Sequence, residues 1–340
     1  MRRSIETTSA TFALLAVTLA SPARAQEAPA DAPPPAAPIE TAPPQVEAPP
    51  PPAAYSLPWQ LRPAAAVTGI RSDTAFARYE DAKSSGGFTV ASVLSASYKV
   101  PGTGEAREKW AGLAPVIRLT AVNDLPPASV AAGGGFAVVN PLVGATYVLP
   151  LGQGGRLGFS LGATLPVGMG GGDKPNKGLV DARGAGQFAR SQMDDSLFAV
   201  DDLALIPGVD LAWVRDGLTL QAEATLFQLW RVRGEAAQPE ASKTNLTSGV
   251  HAGYYFSPIF SVGLDVRYQR WLNAPIAIDK DATGTKVDNW TAAIGPRFHI
   301  PLGGSAKVHP GIAYARGLDK PMAAAAVNYH IIQLDIPFTF

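Results

Sequence analysis

The amino-acid sequence predicts an all-β fold, a transmembrane antiparallel up-and-down β-barrel of about twelve strands. Three observations in the 340-residue chain lead to this fold class. Apolar and polar residues alternate along twelve segments, the connections between the segments alternate in length, and the tryptophans gather at segment ends. Only 16% of the residues are charged, which is low for a chain whose whole surface faces water.

Alternation with a period of two is clearest at 260–269, where every second residue from Phe260 to Tyr268 is apolar. This period is typical of a strand with one apolar and one polar face. No run of about 18 apolar residues follows the proline-rich region, so the mature chain is not expected to cross a membrane as a helix. The predicted strands are 60–70, 87–100, 110–123, 136–149, 156–167, 203–214, 218–231, 244–256, 259–271, 288–300, 306–317 and 327–340.

The connections between predicted strands separate into short turns and long loops, although 101–109 and 318–326 fit this scheme less well. Short turns at one rim and long loops at the other are typical of membrane barrels. The short connections are 150–155, 215–217, 257–258 and 301–305, and the long ones are 71–86, 124–135, 168–202, 232–243 and 272–287.

Alternation alone does not distinguish a soluble β-sandwich from a membrane barrel. A sandwich buries its apolar face, whereas a membrane barrel turns that face to lipid and its polar face to the lumen. The predicted strands have 11 to 14 residues. Strands of globular proteins usually have about five or six residues, and a tilted strand needs about 9 to 11 to cross a bilayer. Strand length therefore favours the membrane barrel.

All six tryptophans fall at the ends of predicted strands. An indole at a membrane–water interface keeps its ring in the apolar layer and its N–H in water. The predicted interface aromatics are Trp59, Trp110 and Trp213 at the short-turn rim, and Trp230, Trp271 and Trp290 at the long-loop rim.

The sequence predicts three regions: a signal peptide at 1–25, a proline-rich disordered periplasmic linker at 26–58 and the outer-membrane barrel at 59–340. Arg2 and Arg3 precede a short apolar run, and Ala23-Arg24-Ala25 fits a cleavage site. A short membrane anchor is the alternative. Eleven of the residues at 26–54 are proline, which favours an extended tether. That tether either contacts the cell wall or serves only as a spacer.

Composition limits the chemistry that the chain can perform. The 28 basic and 28 acidic residues balance, which gives no argument for a nucleic-acid partner. The chain has no cysteine, so disulfides, thiolate catalysis and cysteine-based metal sites are excluded. The acidic residues Asp279, Asp281 and Asp288 lack the glycine and glutamate of an EF-hand loop. We therefore expect no cofactor and no metal.

The last residues of the sequence, Ile332 to Phe340, end in an aromatic residue with apolar residues at every second position before it. This segment resembles the C-terminal β-signal of bacterial outer-membrane proteins. The resemblance implies insertion by the barrel-assembly machinery into the outer membrane of a Gram-negative cell, with the short turns in the periplasm. Pro337 departs from the pattern. The residues that match the signal are Ile332, Leu334, Ile336, Phe338 and Phe340.

Within this class the chain also resembles small outer-membrane transporters associated with phenol degradation. The inward-facing residues predicted to line a pore are Arg118, Glu223, Asp265, Arg267, Arg297, Lys307 and Asp335. Adjacent strands are expected to bring Asp265 or Arg267 beside Arg297, and Asp335 near Lys307 or His309. The predicted function is a narrow channel for passive passage of small polar or aromatic solutes. The alternative is a plugged structural or adhesion barrel without transport.

Enzymatic activity is not expected. A resemblance to outer-membrane phospholipases would require a serine and a histidine on the lipid-facing surface. Of the four histidines, only His330 falls on the outward set, and no serine lies at 318–328. The predicted partners are outer-membrane lipids, the assembly machinery and small solutes, and we expect a monomer.

The longest predicted loop, 168–202, begins with a glycine-rich run from Gly168 to Gly172. It lacks the spacing of a phosphate-binding loop. Loops of this length are usually functional or disordered. The loop either folds inward and constricts the mouth of the barrel or lies at the surface.

Overall fold

The computed structural model of the chain describes residues 55–80, 86–101, 112–127, 134–284, 286–324 and 327–340. The predicted signal peptide, the predicted linker up to residue 54 and Trp110 lie outside these residues and stay predictions.

The strands of the described chain form one sheet that closes on itself. In chain order they are β1 (Gly69–Glu80), β2 (Gly86–Ser97), β3 (Leu113–Leu125), β4 (Gly135–Val138), β5 (Leu142–Gly152), β6 (Gly155–Thr164), β7 (Asp202–Arg215), β8 (Leu218–Arg231), β9 (Ser242–Ser257), β10 (Phe260–Asn273), β11 (Asp288–Phe298), β12 (Ile300–Gly303), β13 (Ala306–Val308), β14 (Gly311–Gly317), β15 (Ala323–Ala324) and β16 (Val327–Thr339). β1 pairs with β2 on one side and with β16 on the other, so that Gly69 lies opposite Thr339. The result is a closed twelve-strand antiparallel barrel, which confirms the predicted fold class.

Several short strands are pieces of longer barrel strands. β4 and β5 pair with successive parts of β3. β12 and β13 form a hairpin that extends β11 and β14 beyond one rim. The β7–β8 turn shows why the short turns are tight: Asp216 and Gly217 both adopt positive φ, at 51° and 82°. An Asp-Gly pair favours this two-residue hairpin turn.

The two faces of the wall differ as the alternation predicts. On β10, Leu264 points outward and is 42% exposed, whereas Asp265 and Arg267 point inward and are fully buried. Outward side chains of the other long strands are likewise mostly apolar, including Leu211 and Val250. Apolar side chains on the outside and polar ones on the inside are the arrangement of a membrane barrel. None of the helices in the described residues is both long and apolar enough to cross a membrane.

The predicted first strand at 60–70 is wrong. β1 begins at Gly69 and covers most of the segment predicted to be the loop 71–86. Its outward positions include Ser72 and Thr74, so its lipid-facing side lacks the apolar run that marks the other strands. Its inward Ala75 and Ala77 are small and fully buried. The sequence therefore did not show the usual alternation at this strand.

Two segments enter the barrel from its rims. We call residues 55–68, which precede β1, the inner segment. We call residues 165–201, between β6 and β7, the inserted loop. This loop contains helices α1 (Lys177–Ala189) and α2 (Asp195–Phe198). A third short helix, α3 (Ile276–Asp279), follows β10 at the long-loop rim.

Candidate functional site in the barrel lumen

The inner segment is held inside the barrel by hydrogen bonds from three strands. The Asp265 carboxylate on β10 accepts hydrogen bonds from the backbone N–H groups of Trp59, at 3.0 Å, and Gln60, at 3.4 Å. Gln333 on β16 donates to the Trp59 carbonyl at 3.3 Å. Arg62 pairs with Glu223 on β8 at 2.6 Å. Because β8, β10 and β16 lie on different sides of the barrel, the segment spans the lumen.

Trp59 is the largest apolar side chain of this segment. It is 1% exposed, so its predicted place at the membrane interface is wrong. The Arg297 guanidinium lies 4.4 Å from its ring centroid, a favourable cation–π distance. Gly311 on β14 leaves room for the ring, because a Cβ there would lie 2.7 Å from it. Trp59 is thus an internal anchor.

The inserted loop folds inward, the first of the two possibilities that the sequence left open. Asn176 caps helix α1, because its side chain accepts hydrogen bonds from the backbone N–H groups of Gly178 and Leu179. Near the other end of α1, Phe188 stacks on Tyr329 of β16, with 5.4 Å between ring centroids. Phe198 of α2 is 5% exposed and joins the apolar cluster of the lumen.

Arg190 fixes the end of α1 against the barrel wall. Its Nη2 lies 2.7 Å from Asp73 on β1, and its Nε donates to Asp194 at 3.0 Å. Arg118 on β3 approaches the same Asp194 at 3.6 Å. Burial by itself would lower the pKa of Arg190, but Asp73 and Asp194 raise it above its ordinary value. The guanidinium therefore remains charged in the lumen.

Arg267 joins the two inner elements. Its Nη1 donates to Gln60 of the inner segment at 2.7 Å and to Ser191 of the inserted loop at 3.4 Å. Its Nη2 lies 3.2 Å from Asp265 on the same strand. The side chain is fully buried. One guanidinium on the wall thus contacts both the inner segment and the inserted loop.

The ion pairs in the lumen differ from those predicted. Asp335 pairs with Arg71 at 2.7 Å and with Arg297 at 2.6 Å, and not with Lys307 or His309. Gly311 is opposite both Arg297 and Asp335 in the strand register. Because Gly311 has no side chain, Arg297 can reach across β14. Arg297 therefore does not pair with Asp265, whose partners are His251, at 2.7 Å, and Arg267.

A row of neutral polar side chains crosses three neighbouring strands of the wall. Thr247 on β9 is opposite Gln269 on β10, which is opposite Asn289 on β11. We call these three residues the polar row. All are at most 1% exposed. Thr247 Oγ1, both polar atoms of Gln269 and Asn289 Oδ1 have no hydrogen-bond partner among the described residues. The row thus has unused hydrogen-bonding capacity that points into the lumen.

The predicted pore-lining residues lie in two places. Five are buried inward-facing residues of the lumen, namely Glu223, Asp265, Arg267, Arg297 and Asp335. Arg118 also faces the lumen, whereas Lys307 lies at the short-turn rim. The side chains of the six that face the lumen contact the inner segment, the inserted loop or one another. That they line a path for solutes stays a prediction.

The exposure of the other predicted site residues, the interface tryptophans and the C-terminal residues, depends on which face of the strand they occupy. Trp213, Trp230 and Trp290 are 39%, 41% and 44% exposed, whereas Trp271 is 6% exposed and faces inward. The predicted interface position of Trp271 is therefore wrong, because it shares a face with Asp265 and Arg267. Ile332, Leu334, Ile336 and Phe338 of β16, and Phe340 after it, are more exposed than the residues between them. Their role as an assembly signal stays a prediction.

Sequence reasoning missed Arg71, Asp73, Arg190 and Asp194. The first two lie on β1, which the sequence placed in a loop, and the others lie in the inserted loop. Neither the alternation of residues around these four nor their spacing in the sequence indicated that they form ion pairs. The one available signal was the length of the loop, which indicated a functional segment without identifying its contacts.

Comparison with known proteins finds no family and several solved structures of low similarity. No protein-family model and no curated protein sequence matches the chain. Among solved structures, KdgM porin is 8% identical, with 79% of this chain and 99% of that chain covered and a TM-score of 0.38. The β-domain of the Bordetella autotransporter BrkA is 12% identical, with 81% and 100% covered and a TM-score of 0.43. A Pseudomonas aeruginosa FadL homologue is 11% identical, with 81% and 90% covered and a TM-score of 0.40. These structural neighbours are outer-membrane barrels.

Proposed function

We propose that this outer-membrane-type barrel is a narrow channel for small polar or aromatic solutes. In the conformation described above, the inner segment and the inserted loop close it. The proposal places the barrel in the outer membrane, where its apolar outer surface contacts lipid.

The polar row carries this proposal. A buried polar atom without a hydrogen-bond partner costs about 1–3 kcal/mol. Several such atoms lie side by side on β9, β10 and β11. A permanently dry lumen would leave them unsatisfied, whereas water or a polar solute passing along the wall would satisfy them. The row therefore favours a lumen that is hydrated when the channel opens.

The alternative, a plugged structural or adhesion barrel, is supported by the ion pairs of the lumen. Arg190, Arg267 and Arg297 are buried and each has a carboxylate partner. Removing one partner of a buried pair costs about 3–5 kcal/mol. A lumen that never opens would keep these pairs intact.

A reversible lock on the inner segment separates the two functions. The chain has no cysteine, so an introduced disulfide would be unique. A Cβ added at Gly253 on β9 would lie directly against Ser56 of the inner segment. In the Ser56→Cys/Gly253→Cys variant, the segment must shift by about 1 Å to reach normal disulfide spacing.

We expect wild-type protein in planar bilayers to give conductance steps, the oxidised double-cysteine variant to give none, and reduction to restore them. Each single-cysteine variant is the matched control and should conduct under both conditions. Silence of the wild type and of the reduced variant would establish the plugged alternative. Equal conductance of oxidised and reduced protein would show that the inner segment is not the gate.

A further inference from the structure

A cavity of about 640 Å³ lies at the short-turn rim, outside the closed part of the lumen. We call it the vestibule. Its lining includes Leu57 of the inner segment and residues at the ends of barrel strands. A volume of this size is typical of sites for small organic molecules. Its polar lining includes Lys99, Arg156, His299, Lys307 and His309.

The charges of the vestibule are unlike those of the lumen. Its lining contains Lys99, Arg156 and Lys307 but no aspartate or glutamate. Within the described part of the chain, no carboxylate forms an ion pair with any of these three side chains, whereas the buried arginines Arg190 and Arg267 are paired. Phe340 also lines the cavity and adds at most one carboxylate, so the three cations leave an excess of positive charge. Such an excess in a concave site concentrates positive potential. The vestibule is therefore suited to an anion.

The remaining lining favours an anion with a flat apolar body. The Arg156 guanidinium lies 4.9 Å from the ring centroid of Tyr55. Tyr255 stacks on His299, with 4.4 Å between ring centroids, and Ile259 adds an aliphatic surface. Aromatic faces beside cationic groups can hold a planar ring and its carboxylate at the same time.

We propose that the vestibule binds small aromatic carboxylates. This proposal rests on the proposed channel function in one respect, because it names aromatic carboxylates as the solutes of that channel. Binding of a carboxylate in the vestibule does not itself require conduction. Lys99, Arg156 and Lys307 attract the carboxylate, and Tyr55 and Tyr255 contact the ring.

Calorimetric titration of the full-length chain in detergent micelles tests this proposal, with benzoate as the probe. Benzamide has the same shape without the charge, and inorganic phosphate has charge without the ring. Benzoate is expected to bind most tightly of the three and to bind more weakly as salt rises, because exposed charges are screened.

The Lys99→Gln/Arg156→Gln/Lys307→Gln variant should lower benzoate affinity at least about tenfold, since each partly exposed cation contributes about two- to fivefold. The matched control is Lys174→Gln/Lys280→Gln/Lys320→Gln at the long-loop rim, which should bind like the wild type. If the first triple variant fails to fold, its three single variants provide the same comparison. Absent benzoate binding, equal binding of benzamide or phosphate, or an unchanged triple variant would each overturn the proposal.

Bilayer conductance keeps the two proposals distinct. Benzoate binding by a protein that never conducts would retain the vestibule site and overturn the channel. Conductance without benzoate binding would overturn the vestibule site alone.

Discussion

The inner segment and the inserted loop both fill the lumen, but different interactions hold them. The inserted loop contributes Leu197, Phe198 and Val200 to the apolar cluster of the lumen and adds the ion pairs of Arg190. The inner segment contributes Trp59 to that cluster and is otherwise fixed by hydrogen bonds to wall residues and by the Arg62–Glu223 ion pair. Buried apolar contacts must be lost outright when a segment moves, whereas water can replace a hydrogen bond. The inner segment is therefore the element that we expect to leave first.

Arg267 is the contact shared by both segments, and its loss should have the largest effect. Arg267→Met leaves Asp265 without its arginine and removes the bonds to Gln60 and Ser191. We expect the free energy of unfolding in detergent to fall by about 3–5 kcal/mol. Tryptophan fluorescence during guanidinium unfolding measures this loss. Adding Asp265→Asn should recover part of it, and wild-type stability of the single variant would contradict the shared role.

A truncation in the inserted loop should separate the two segments. Phe198→Ala removes a side chain that is 5% exposed and should cost about 3 kcal/mol. Hydrogen exchange should increase across 165–201 and change little across 55–68. Phe159→Ala, on the outward face of β6, is the control that leaves both segments protected. Equal loosening of both segments would mean that they open as one unit.

The smallest effect is expected at Asp195 in α2. Burial raises the pKa of this carboxyl well above its usual value, and Oδ1 has no partner among the described residues. Because the folded-state pKa of Asp195 lies above its unfolded-state value, the group's contribution to stability is fully present at low pH and is lost as pH rises through the folded-state pKa. Asp195→Asn should therefore raise stability at neutral pH by about 1 kcal/mol or less.

Thermal unfolding of Asp195→Asn and the wild type at acidic and neutral pH tests this prediction. The variant should gain stability relative to the wild type as pH rises. An equal difference at both values would show that the carboxyl is not protonated in the lumen.

The sequence predicted most strands of the barrel wall but little about the segments that fill the lumen. Strand parity correctly placed Asp265, Arg267 and Asp335 inside, and the same parity should have placed Trp271 inside rather than at the interface. The prediction for Trp271 relied on its position at a strand end and not on strand parity. The first strand was misplaced because most outward residues of β1, such as Ser72 and Thr74, are polar, so local alternation could not distinguish it from a loop.

By itself, the sequence determined the barrel class, most of its strands and which residues of those strands face inward. These properties follow from a period of two, which is local and repeats along each strand. The tertiary structure decided that residues 55–68 and 165–201 enter the lumen, and that Arg267 contacts both. Such contacts join residues far apart in the chain, and they depend on closure of the barrel around segments that have no periodic pattern of their own.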